Sequence, residues 1–130
     1  MTNLTILLVE DNEVNVLIAR KFLERWPVTL DVATNGKMAV DMIQCNSFDL
    51  VLMDLQMPIM DGYEATRCIR QLADPQKSRI PVIALTASAV LEEQEKVMAV
   101  GMNDYITKPI DPDILSKKIA KQLEGSHVAQ

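Results

Sequence analysis

The sequence is poor in several residues that define broad protein classes. Its 130 residues include two cysteines, one histidine, four glycines and only 4% aromatic residues. Cys45 and Cys68 lack the spacing of a metal site or a disulfide framework, so we predict two half-buried free thiols in a reducing compartment. No apolar run reaches the roughly 20 residues that span a bilayer, and no signal peptide opens the chain. We therefore expect a cytoplasmic domain without membrane insertion.

Positive charge is also scarce. The chain has 13 Lys and Arg residues against 18 Asp and Glu residues, which gives a formal net charge of -5. No basic cluster stands out, and this argues against direct binding to nucleic acid or to an anionic membrane. What the chain does have is 48% hydrophobic residues. That content and the length predict one globular domain with a substantial core.

Apolar strand-like runs alternate with helical patterns five times along the chain. The predicted strands are 5–9, 30–33, 50–54, 82–86 and 105–107, and the predicted helices are 13–26, 36–45, 62–72, 90–100 and 112–123. Five such units imply an α/β fold, with a parallel sheet and helices on both faces. The stretch 73–79 is predicted to be a surface loop. We expect the domain to span 1–124, followed by a short tail at 125–130.

The first predicted helix has an apolar stripe at helical spacing. The stripe consists of Val14, Leu17, Ile18 and Phe22. Residues at such intervals share one face of a helix, and that face normally packs on the core. We therefore predict that this stripe faces the sheet.

Polar residues follow four of the predicted strands at the point where each strand ends. They are Glu10 and Asp11 after the first strand, Asp54 at the end of the third, Thr86 at the end of the fourth, and Thr107 and Lys108 at the end of the fifth. The carboxyl ends of parallel strands meet at one edge of a sheet, where ligands of such folds bind. We therefore expect three acids, a hydroxyl and an ammonium group to converge there.

These residue types suit phosphoryl transfer to a carboxylate. Several carboxylates held close together repel one another unless a cation or a proton intervenes. Mg²⁺ prefers one or two carboxylates and leaves positions open for a phosphate oxygen. Lys108 adds a compact positive charge suited to a second phosphate oxygen. Asp54 between a metal and Lys108 is placed to attack phosphorus and form an aspartyl phosphate.

Each of these residues taken alone has an ordinary structural interpretation. Asp11 could cap the first helix, and Asp61 before Gly62 is typical of a helix cap. A threonine after a strand is usually structural, and a single lysine is usually a solvated charge. The hypothesis of a functional site depends on the agreement of four strand ends.

The motifs around these residues resemble the receiver domain of two-component response regulators. They are LLVEDNEVN, DLVLMDLQMPIMDGYEA, PVIALTAS and GMNDYITKPID, and the resemblance covers about residues 4–124. In style they are similar to the receiver domains of hybrid histidine kinases. The resemblance implies a flavodoxin-like (βα)5 three-layer sandwich with a parallel five-stranded sheet of order 2-1-3-4-5.

The resemblance also implies a phosphoacceptor and a metal site. Asp54 would accept the phosphoryl group. Asp11, Asp54 and the backbone carbonyl of Gln56 would ligate Mg²⁺, and Glu10 would act mainly through metal-bound water. The first acidic position is Glu10, where many members of the family have Asp.

The remaining implied roles concern the switch. Lys108 would contact the phosphoryl group, and the Lys108–Pro109 bond would be cis. Thr86 would turn inward to hydrogen-bond a phosphoryl oxygen. Tyr105 would move inward with it and remodel the face made by the fourth predicted helix, the fifth strand and the last helix. Ser88 and Gln56 occupy positions that tune dephosphorylation in the family.

The function implied is a phosphorylation-dependent signalling switch in a phosphorelay. His127, the only histidine, matches no family position, so the donor would be a phosphohistidine of a histidine kinase or a histidine phosphotransfer domain. A downstream protein would bind the remodelled face. The domain would catalyse its own phosphotransfer and autodephosphorylation, without turning over an external substrate.

Three other functions remain open at this point. An aspartyl-phosphate phosphohydrolase of the haloacid dehalogenase type would have a second Asp two residues after the nucleophile, where this chain has Gln56. An FMN protein of the same topology would need a Ser/Thr/Gly-rich phosphate loop after the first strand, and EDNEVN is not one. A receiver-like interaction domain that is never phosphorylated usually lacks one of the acids or the lysine, and this chain keeps them all.

Overall fold

The five strands predicted from the sequence form one parallel sheet. The computed structural model describes residues 4–57, 59–88 and 90–128, with side chains described through residue 123. The strands are β1 (Leu4–Val9), β2 (Val28–Ala33), β3 (Leu50–Asp54), β4 (Val82–Thr86) and β5 (Asp104–Thr107). Their order across the sheet is β2-β1-β3-β4-β5, and every neighbouring pair is parallel. The predicted fold class and strand order are confirmed.

Helices connect the strands. They are α1 (Glu13–Leu23), α2 (Gly36–Cys45), α3 (Gly62–Arg70), α4 (Pro75–Ser78), α5 (Leu91–Ala99) and α6 (Pro112–Val128). The loop prediction for 73–79 was wrong, because it contains the single turn α4. Asp74 caps that turn by accepting a hydrogen bond from the Gln76 amide, and Pro75 occupies its first position. An Asp-Pro pair of this kind is a helix-start signal that the sequence displays.

The last helix is longer than the sequence indicated. α6 continues through Val128 and so includes part of the predicted tail 125–130, of which residues 129–130 lie outside the described residues. Gly125 weakens a helix by about 1 kcal/mol relative to alanine but does not break it as proline would. The domain limit at residue 124 stays a prediction.

The prediction for the buried face of α1 was wrong for most of its members. Val14 and Leu17 are 63% and 65% exposed, and Ile18 is 39% exposed. Ala19 and Leu23 are buried instead, and Val16 and Phe22 pack on the same core. The helix thus carries two apolar stripes. The small side chain of Ala19 lets α1 approach the sheet closely, so the stripe centred on it is buried. α1 also ends three residues earlier than predicted, at Leu23.

The core lies in two layers, one on each face of the sheet. α1 and α6 cover one face, where Ile6 and Leu8 meet Leu115. α2, α3 and α5 cover the other, where Leu7 and Ile69 are buried. Successive residues of a strand point to opposite faces, which explains the division within β1. The central strands β3 and β4 are buried over their whole length. The structure therefore places a carboxylate, Asp54, at the end of a fully buried strand.

The chain returns closely past the end of β3 to begin α3. The Gly62 amide donates to the Leu55 carbonyl at 3.2 Å. A Cβ atom on Gly62 would lie 2.4 Å from the Asp54 carbonyl oxygen, so only glycine fits here. Asp61 caps α3 by accepting from the Glu64 amide at 2.9 Å. These contacts fix the backbone beside Asp54.

Two further features bear on the expectations from composition. Cys45 and Cys68 are both free thiols, as predicted, but only Cys68 is half-buried, whereas Cys45 is exposed. Within the described part of the chain, no helix is both long enough and apolar enough to cross a bilayer.

Candidate functional site

The carboxyl ends of β1, β3, β4 and β5 surround one cleft. The strand register pairs Asp54 with Leu85 and Thr86 with Thr107, so these ends lie side by side. The cleft has a volume of about 250 Å³. Its polar lining includes Glu10, Asp11, Asn12, Asn15, Asp54, Gln56, Thr86, Ser88, Glu93 and Lys108. Residues that are up to 98 positions apart in the sequence thus share one small volume.

Three acidic side chains cluster in this cleft. Glu10, Asp11 and Asp54 each offer a carboxylate oxygen, and these three oxygens lie within 4.8 Å of one another. Glu10 is 1% exposed and Asp54 is 6% exposed, whereas Asp11 is open to solvent. Two buried acids beside a third require compensation by a cation, a proton or hydrogen bonds.

Lys108 supplies one compensating charge. Its Nζ atom lies 3.1 Å from Oε1 of Glu10 and 3.3 Å from Oδ1 of Asp54. The Lys108 amide donates to the Thr86 carbonyl at 2.7 Å, and the Lys108–Pro109 peptide bond is cis. The backbone after β5 is therefore tied to the end of β4 at the point where the lysine enters the cleft.

The pKa values of this pair reflect burial and mutual charge. Burial raises the pKa of the Glu10 carboxyl, and a hydrogen bond with Asp54 raises it further, while Lys108 opposes both effects. Burial lowers the pKa of Lys108, but the contacts with Glu10 and Asp54 outweigh this and raise its pKa above the ordinary value. The ammonium therefore stays charged at neutral pH.

Gln56 and Thr86 lie at the cleft with different partners. The Gln56 amide donates to Oδ1 of Asp54 at 3.2 Å. The Thr86 hydroxyl makes no hydrogen bond with Asp54; it donates to the Ser88 carbonyl and accepts from the Ser88 amide, both at 3.1 Å. Thr86 is 5% exposed. Its hydroxyl is thus engaged within its own turn, beside the carboxylates.

Tyr105 lies on β5, outside the cleft lining. It is half-buried and packs against the core between the sheet and α2, α3 and α5. The Lys118 Nζ atom of α6 lies 4.6 Å from the centroid of its ring. The sequence analysis did not anticipate this contact.

Sequence reasoning also missed Glu93, which lines the cleft from α5. The Tyr63 hydroxyl donates a hydrogen bond to the Glu93 carboxylate, and the Lys96 Nζ atom lies 4.6 Å from the Tyr63 ring centroid. Burial and this hydrogen bond raise the pKa of Tyr63. Glu93 stands in the polar run EEQEK, where no residue carries a signal that separates it from its neighbours. Only the path of α5 over the sheet distinguishes it.

A comparison with known families identifies the domain. A family model for the response regulator receiver domain matches residues 6–120. The chain belongs to this receiver family. It is similar to hybrid signal transduction histidine kinase B of Dictyostelium discoideum, with 46% identity over 128 residues, which cover 91% of this chain and 6% of that protein. The receiver domain spans 6% to 14% of the length of the curated relatives it matches.

Two solved structures of similar proteins contain receiver domains. The receiver domain of a sensor histidine kinase from Pseudomonas aeruginosa PAO1, described with a magnesium ion coordinated in its active-site cleft, is 36% identical with a TM-score of 0.85. That alignment covers 95% of this chain and 99% of the other. A co-crystal of the Saccharomyces cerevisiae histidine phosphotransfer protein Ypd1 with the receiver domain of Ssk1 gives 33% identity and a TM-score of 0.83, covering 92% of this chain and 88% of that chain.

The residues of this receiver domain fit a hard divalent cation. Glu10, Asp11 and Asp54 provide the oxygen donors that Mg²⁺ prefers. Ligand oxygens around octahedral Mg²⁺ lie about 3–4 Å apart, as follows from bond lengths of 2.0–2.1 Å. The observed limit of 4.8 Å requires only a small contraction. One side of the cluster, at Asp11, is open to solvent and gives a route of entry.

Proposed function

We propose that this receiver domain is a phosphorylation-dependent switch, which accepts a phosphoryl group on Asp54 from a phosphohistidine of a partner protein. The observation that carries the proposal is the meeting of Asp54, Asp11 and Lys108 in one cleft, formed by the ends of separate strands. This set combines a nucleophilic carboxylate, a cation-binding cluster and a fixed ammonium group. Phosphoryl transfer depends mainly on such positioning and charge neutralisation.

In the proposed reaction, a carboxylate oxygen of Asp54 attacks the phosphorus of the donor. The oxygen–phosphorus bond forms as the nitrogen–phosphorus bond breaks, and the electron pair of that bond leaves with the imidazole. Lys108 neutralises charge on the transferred oxygens, because it stays protonated between Asp54 and Glu10. Asp11, Asp54 and the Gln56 carbonyl would hold Mg²⁺, with Glu10 acting through water, and the cation would supply further charge neutralisation.

Water later hydrolyses the aspartyl phosphate and restores the Asp54 carboxylate. The domain therefore catalyses its own phosphorylation and dephosphorylation, and we expect no turnover of an external substrate. Gln56 and Ser88 both line the cleft in which this reaction takes place. We propose that they set the access of the hydrolytic water.

Switching follows from a change of hydrogen-bond partner. The Thr86 hydroxyl now bonds to Ser88, and a phosphoryl oxygen on Asp54 offers it a charged acceptor instead. Tyr105 then moves inward. A shift from about 1:99 to 99:1 needs roughly 5.5 kcal/mol of differential stabilisation. Hydrogen bonds to charged groups contribute roughly 1.5–3 kcal/mol each. Contacts of the phosphoryl group with Thr86, Lys108 and the metal are therefore sufficient in magnitude to supply this differential stabilisation.

The phosphodonor needs a docking surface beside the cleft. The exposed stripe of α1, formed by Val14, Leu17 and Ile18, belongs to the helix from which Asn15 lines the cleft. Ile18 also borders an apolar groove of about 360 Å³ that reaches Lys108 and Pro109. Exposed apolar patches of this kind mark protein interaction sites. We propose that a histidine kinase or a histidine phosphotransfer domain docks here. The similar receiver domain crystallised with Ypd1 supports a partner of the latter class.

The surface that binds a downstream protein is distinct from the donor surface on α1. We propose that a downstream protein binds the face made by α5, β5 and α6, because Tyr105 belongs to it. Val90, Leu91 and Met98 of this region are 56% to 68% exposed, and Ile114 of α6 is 46% exposed. We also place the domain in the cytoplasm, since its free cysteines suit a reducing compartment.

The proposal is tested by incubating the domain with Mg²⁺ and an acyl phosphate, and then mapping the modification by mass spectrometry. We expect one hydroxylamine-sensitive phosphoryl group on Asp54, which is absent from the Asp54→Asn variant and from samples with a chelator. The Asp49→Asn variant is the matched control, because Asp49 is exposed and lies at the opposite edge of the sheet, where it accepts from the Thr5 amide. Labelling of Asp54→Asn, or labelling that persists with the chelator, would refute the mechanism.

The same assay separates the other functions. Release of inorganic phosphate from simple phosphomonoesters in many turnovers indicates a phosphohydrolase. A folded wild-type domain that incorporates no phosphate from any acyl phosphate or phosphohistidine donor indicates an interaction domain that is not phosphorylated.

A further inference from the structure

The ammonium group of Lys118 makes three contacts with two neighbouring residues of β5. Nζ lies 4.6 Å from the centroid of the Tyr105 ring. It donates to the Tyr105 carbonyl at 2.5 Å and to Oδ1 of Asp104 at 2.9 Å. The side chains of Lys118 and Asp104 are 27% and 18% exposed, so these contacts are shielded from much of the solvent. The lysine therefore connects α6 to the strand that carries Tyr105.

The three contacts respond differently when the tyrosine ring moves. The carbonyl and the Asp104 carboxylate hold the ammonium in place through the backbone and a side chain that do not depend on the ring. A cation over an aromatic face is attracted by the ring quadrupole, and the attraction grows as water is excluded. An inward movement of the ring breaks this contact alone. The fixed ammonium thus favours the ring position described here over any other.

We propose that Lys118 is a positioning residue of the switch, whose ammonium group retains the Tyr105 ring in its present half-buried position and so sets how strongly phosphorylation must act to move it. The inference rests on the proposed function, in which Tyr105 moves inward when Asp54 is phosphorylated. Lys118 does not line the cleft around Asp54 and takes no part in the chemistry. Its effect is on the equilibrium between two ring positions.

The magnitude follows from the cation–aromatic contact. The typical free energy of a cation–π contact corresponds to roughly a 2- to 30-fold change in an equilibrium constant. Removal of the charge would therefore raise the population of the inward state by about this factor before any phosphorylation. The same factor would lower the concentration of a phosphoryl analogue that half-activates the domain.

The experiment follows the two tyrosines of the chain by ¹⁹F NMR after incorporation of fluorotyrosine. The Tyr63→Phe variant assigns the two signals. Wild type is compared with Lys118→Met, which removes the charge and keeps an unbranched side chain. Lys117→Met is the matched control, because Lys117 is an exposed residue of the same helix. Lys118→Arg preserves a cation that interacts with aromatic rings and tests for rescue. Each protein is titrated with beryllofluoride in the presence of Mg²⁺.

In Lys118→Met, we expect the Tyr105 signal to lie nearer its activated position without beryllofluoride, and the midpoint to fall by roughly 2- to 30-fold. Lys117→Met and Lys118→Arg should behave as wild type. If the wild-type signal moves on activation but Lys118→Met titrates identically, the role of Lys118 is overturned while the switch stands. If the wild-type Tyr105 signal does not move, the proposed switch fails and the inference fails with it.

The Tyr63 signal and urea unfolding would reveal whether Lys118→Met is folded. If it is not, a second variant tests the inference. Asp104→Asn keeps the ammonium but weakens its anchor at 2.9 Å. It should move the Tyr105 signal and the midpoint in the same direction by a smaller factor. An unchanged midpoint in this variant would also contradict the inference.

Discussion

The Nζ atom of Lys108 lies 3.3 Å from Oδ1 of Asp54, although the two residues come from different strand ends and are separated along the chain by α3, α4, β4, α5 and β5. The same nitrogen lies 3.1 Å from Oε1 of Glu10. Lys108 therefore neutralises the carboxylates that we propose as the phosphoacceptor and as part of the metal site. Lys108 and the proposed divalent cation would compensate the same negative charge.

The first prediction concerns Lys108→Met. Removal of the ammonium leaves two buried carboxylates with less compensation, so we expect the metal-free domain to lose about 2 kcal/mol in the free energy of unfolding. Mg²⁺ should stabilise the variant more than it stabilises wild type, because the cation no longer competes with a lysine. The variant should bind metal but fail to switch. Urea unfolding with and without saturating Mg²⁺ measures the first two effects.

Lys37→Met serves as the control for this measurement. Lys37 pairs with Asp41 at 3.4 Å on the surface of α2, with both side chains more than half exposed. Such exposed pairs contribute little to stability. A Mg²⁺ stabilisation of Lys108→Met that is equal to that of wild type would show that lysine and metal do not share their ligands.

The second prediction separates the donor surface from the chemistry. Leu17 of α1 is 65% exposed and Leu91 of α5 is 68% exposed, so the two residues are matched in type and exposure. We expect Leu17→Asp to slow phosphotransfer from a histidine phosphotransfer protein by at least about tenfold, which corresponds to roughly 1.4 kcal/mol of lost docking. Leu91→Asp should leave that rate unchanged. Both variants should react normally with an acyl phosphate, which needs no docking surface.

The interpretation depends on the phosphorylation rates of each variant with the protein donor and with the acyl phosphate. Equal slowing of Leu17→Asp with the protein donor and the acyl phosphate would indicate damage to the cleft instead of lost docking. If phosphotransfer from the protein donor is slowed in Leu91→Asp and not in Leu17→Asp, the donor docks on α5 instead of α1.

Most of the fold and most residues of the cleft could be predicted from the sequence, for a physical reason. Continuous apolar runs mark buried parallel strands, and the residues after such strands must meet at one edge. Glu10, Asp11, Asp54 and Lys108 were thus predictable without coordinates. The cis bond at Pro109 and the proposed role of Tyr105 came only from the resemblance to a family.

Other structural features could not be predicted from the pattern of residue types along the sequence. α1 has two apolar stripes, and periodicity does not decide which of them is buried. The contact of Lys118 with Tyr105 and that of Tyr63 with Glu93 join elements whose relative rotation is fixed only by packing. Polar helices such as α5 give no signal that marks one glutamate among several. These are long-range relations between side chains, and local propensity does not determine them.

The third prediction concerns Arg70, at the edge of the sheet opposite the cleft. Its guanidinium donates to the carbonyls of Gly101 at 2.9 Å, Ser78 at 2.8 Å and Ile80 at 2.7 Å, and to Oδ1 of Asn103 at 2.9 Å. It thereby joins α3 to the segments that precede β4 and β5. We expect Arg70→Ala to reduce the free energy of unfolding by about 2–4 kcal/mol, because several backbone carbonyls lose a charged donor.

Arg70→Lys should be nearly as unstable, because one ammonium group does not reproduce the planar fork of the guanidinium. Arg67→Ala is the control, since Arg67 is an exposed residue of the same helix. Phosphate incorporation at Asp54 should survive in every variant that remains folded. Wild-type stability of Arg70→Lys in urea would show that the fork geometry is unimportant.

The fourth prediction is a pH dependence that originates at Tyr63. Burial and the hydrogen bond to Glu93 raise the pKa of this phenol above its ordinary value of 10.0. A raised pKa in the folded state means that the folded domain retains a proton that the unfolded chain loses. The stabilisation by Tyr63 is therefore complete below about pH 10 and is lost as the pH rises from there through the folded-state value.

Tyr63→Phe removes both the hydrogen bond and the titration. At neutral pH we expect the variant to be less stable than wild type by about 1–3 kcal/mol, because Glu93 loses a donor. Above about pH 10 the difference should narrow by roughly 1.4 kcal/mol per pH unit, because only wild type loses stability through this group. Urea unfolding of both proteins between about pH 8 and 11 measures this slope, and the other titrating groups cancel in the difference. Absorbance gives an independent check, since the substitution should not change the tyrosinate signal of the folded domain near pH 11. A stability difference that stays constant across this range would mean that Tyr63 titrates alike in the folded and unfolded states, and that its contact with Glu93 does not form in solution.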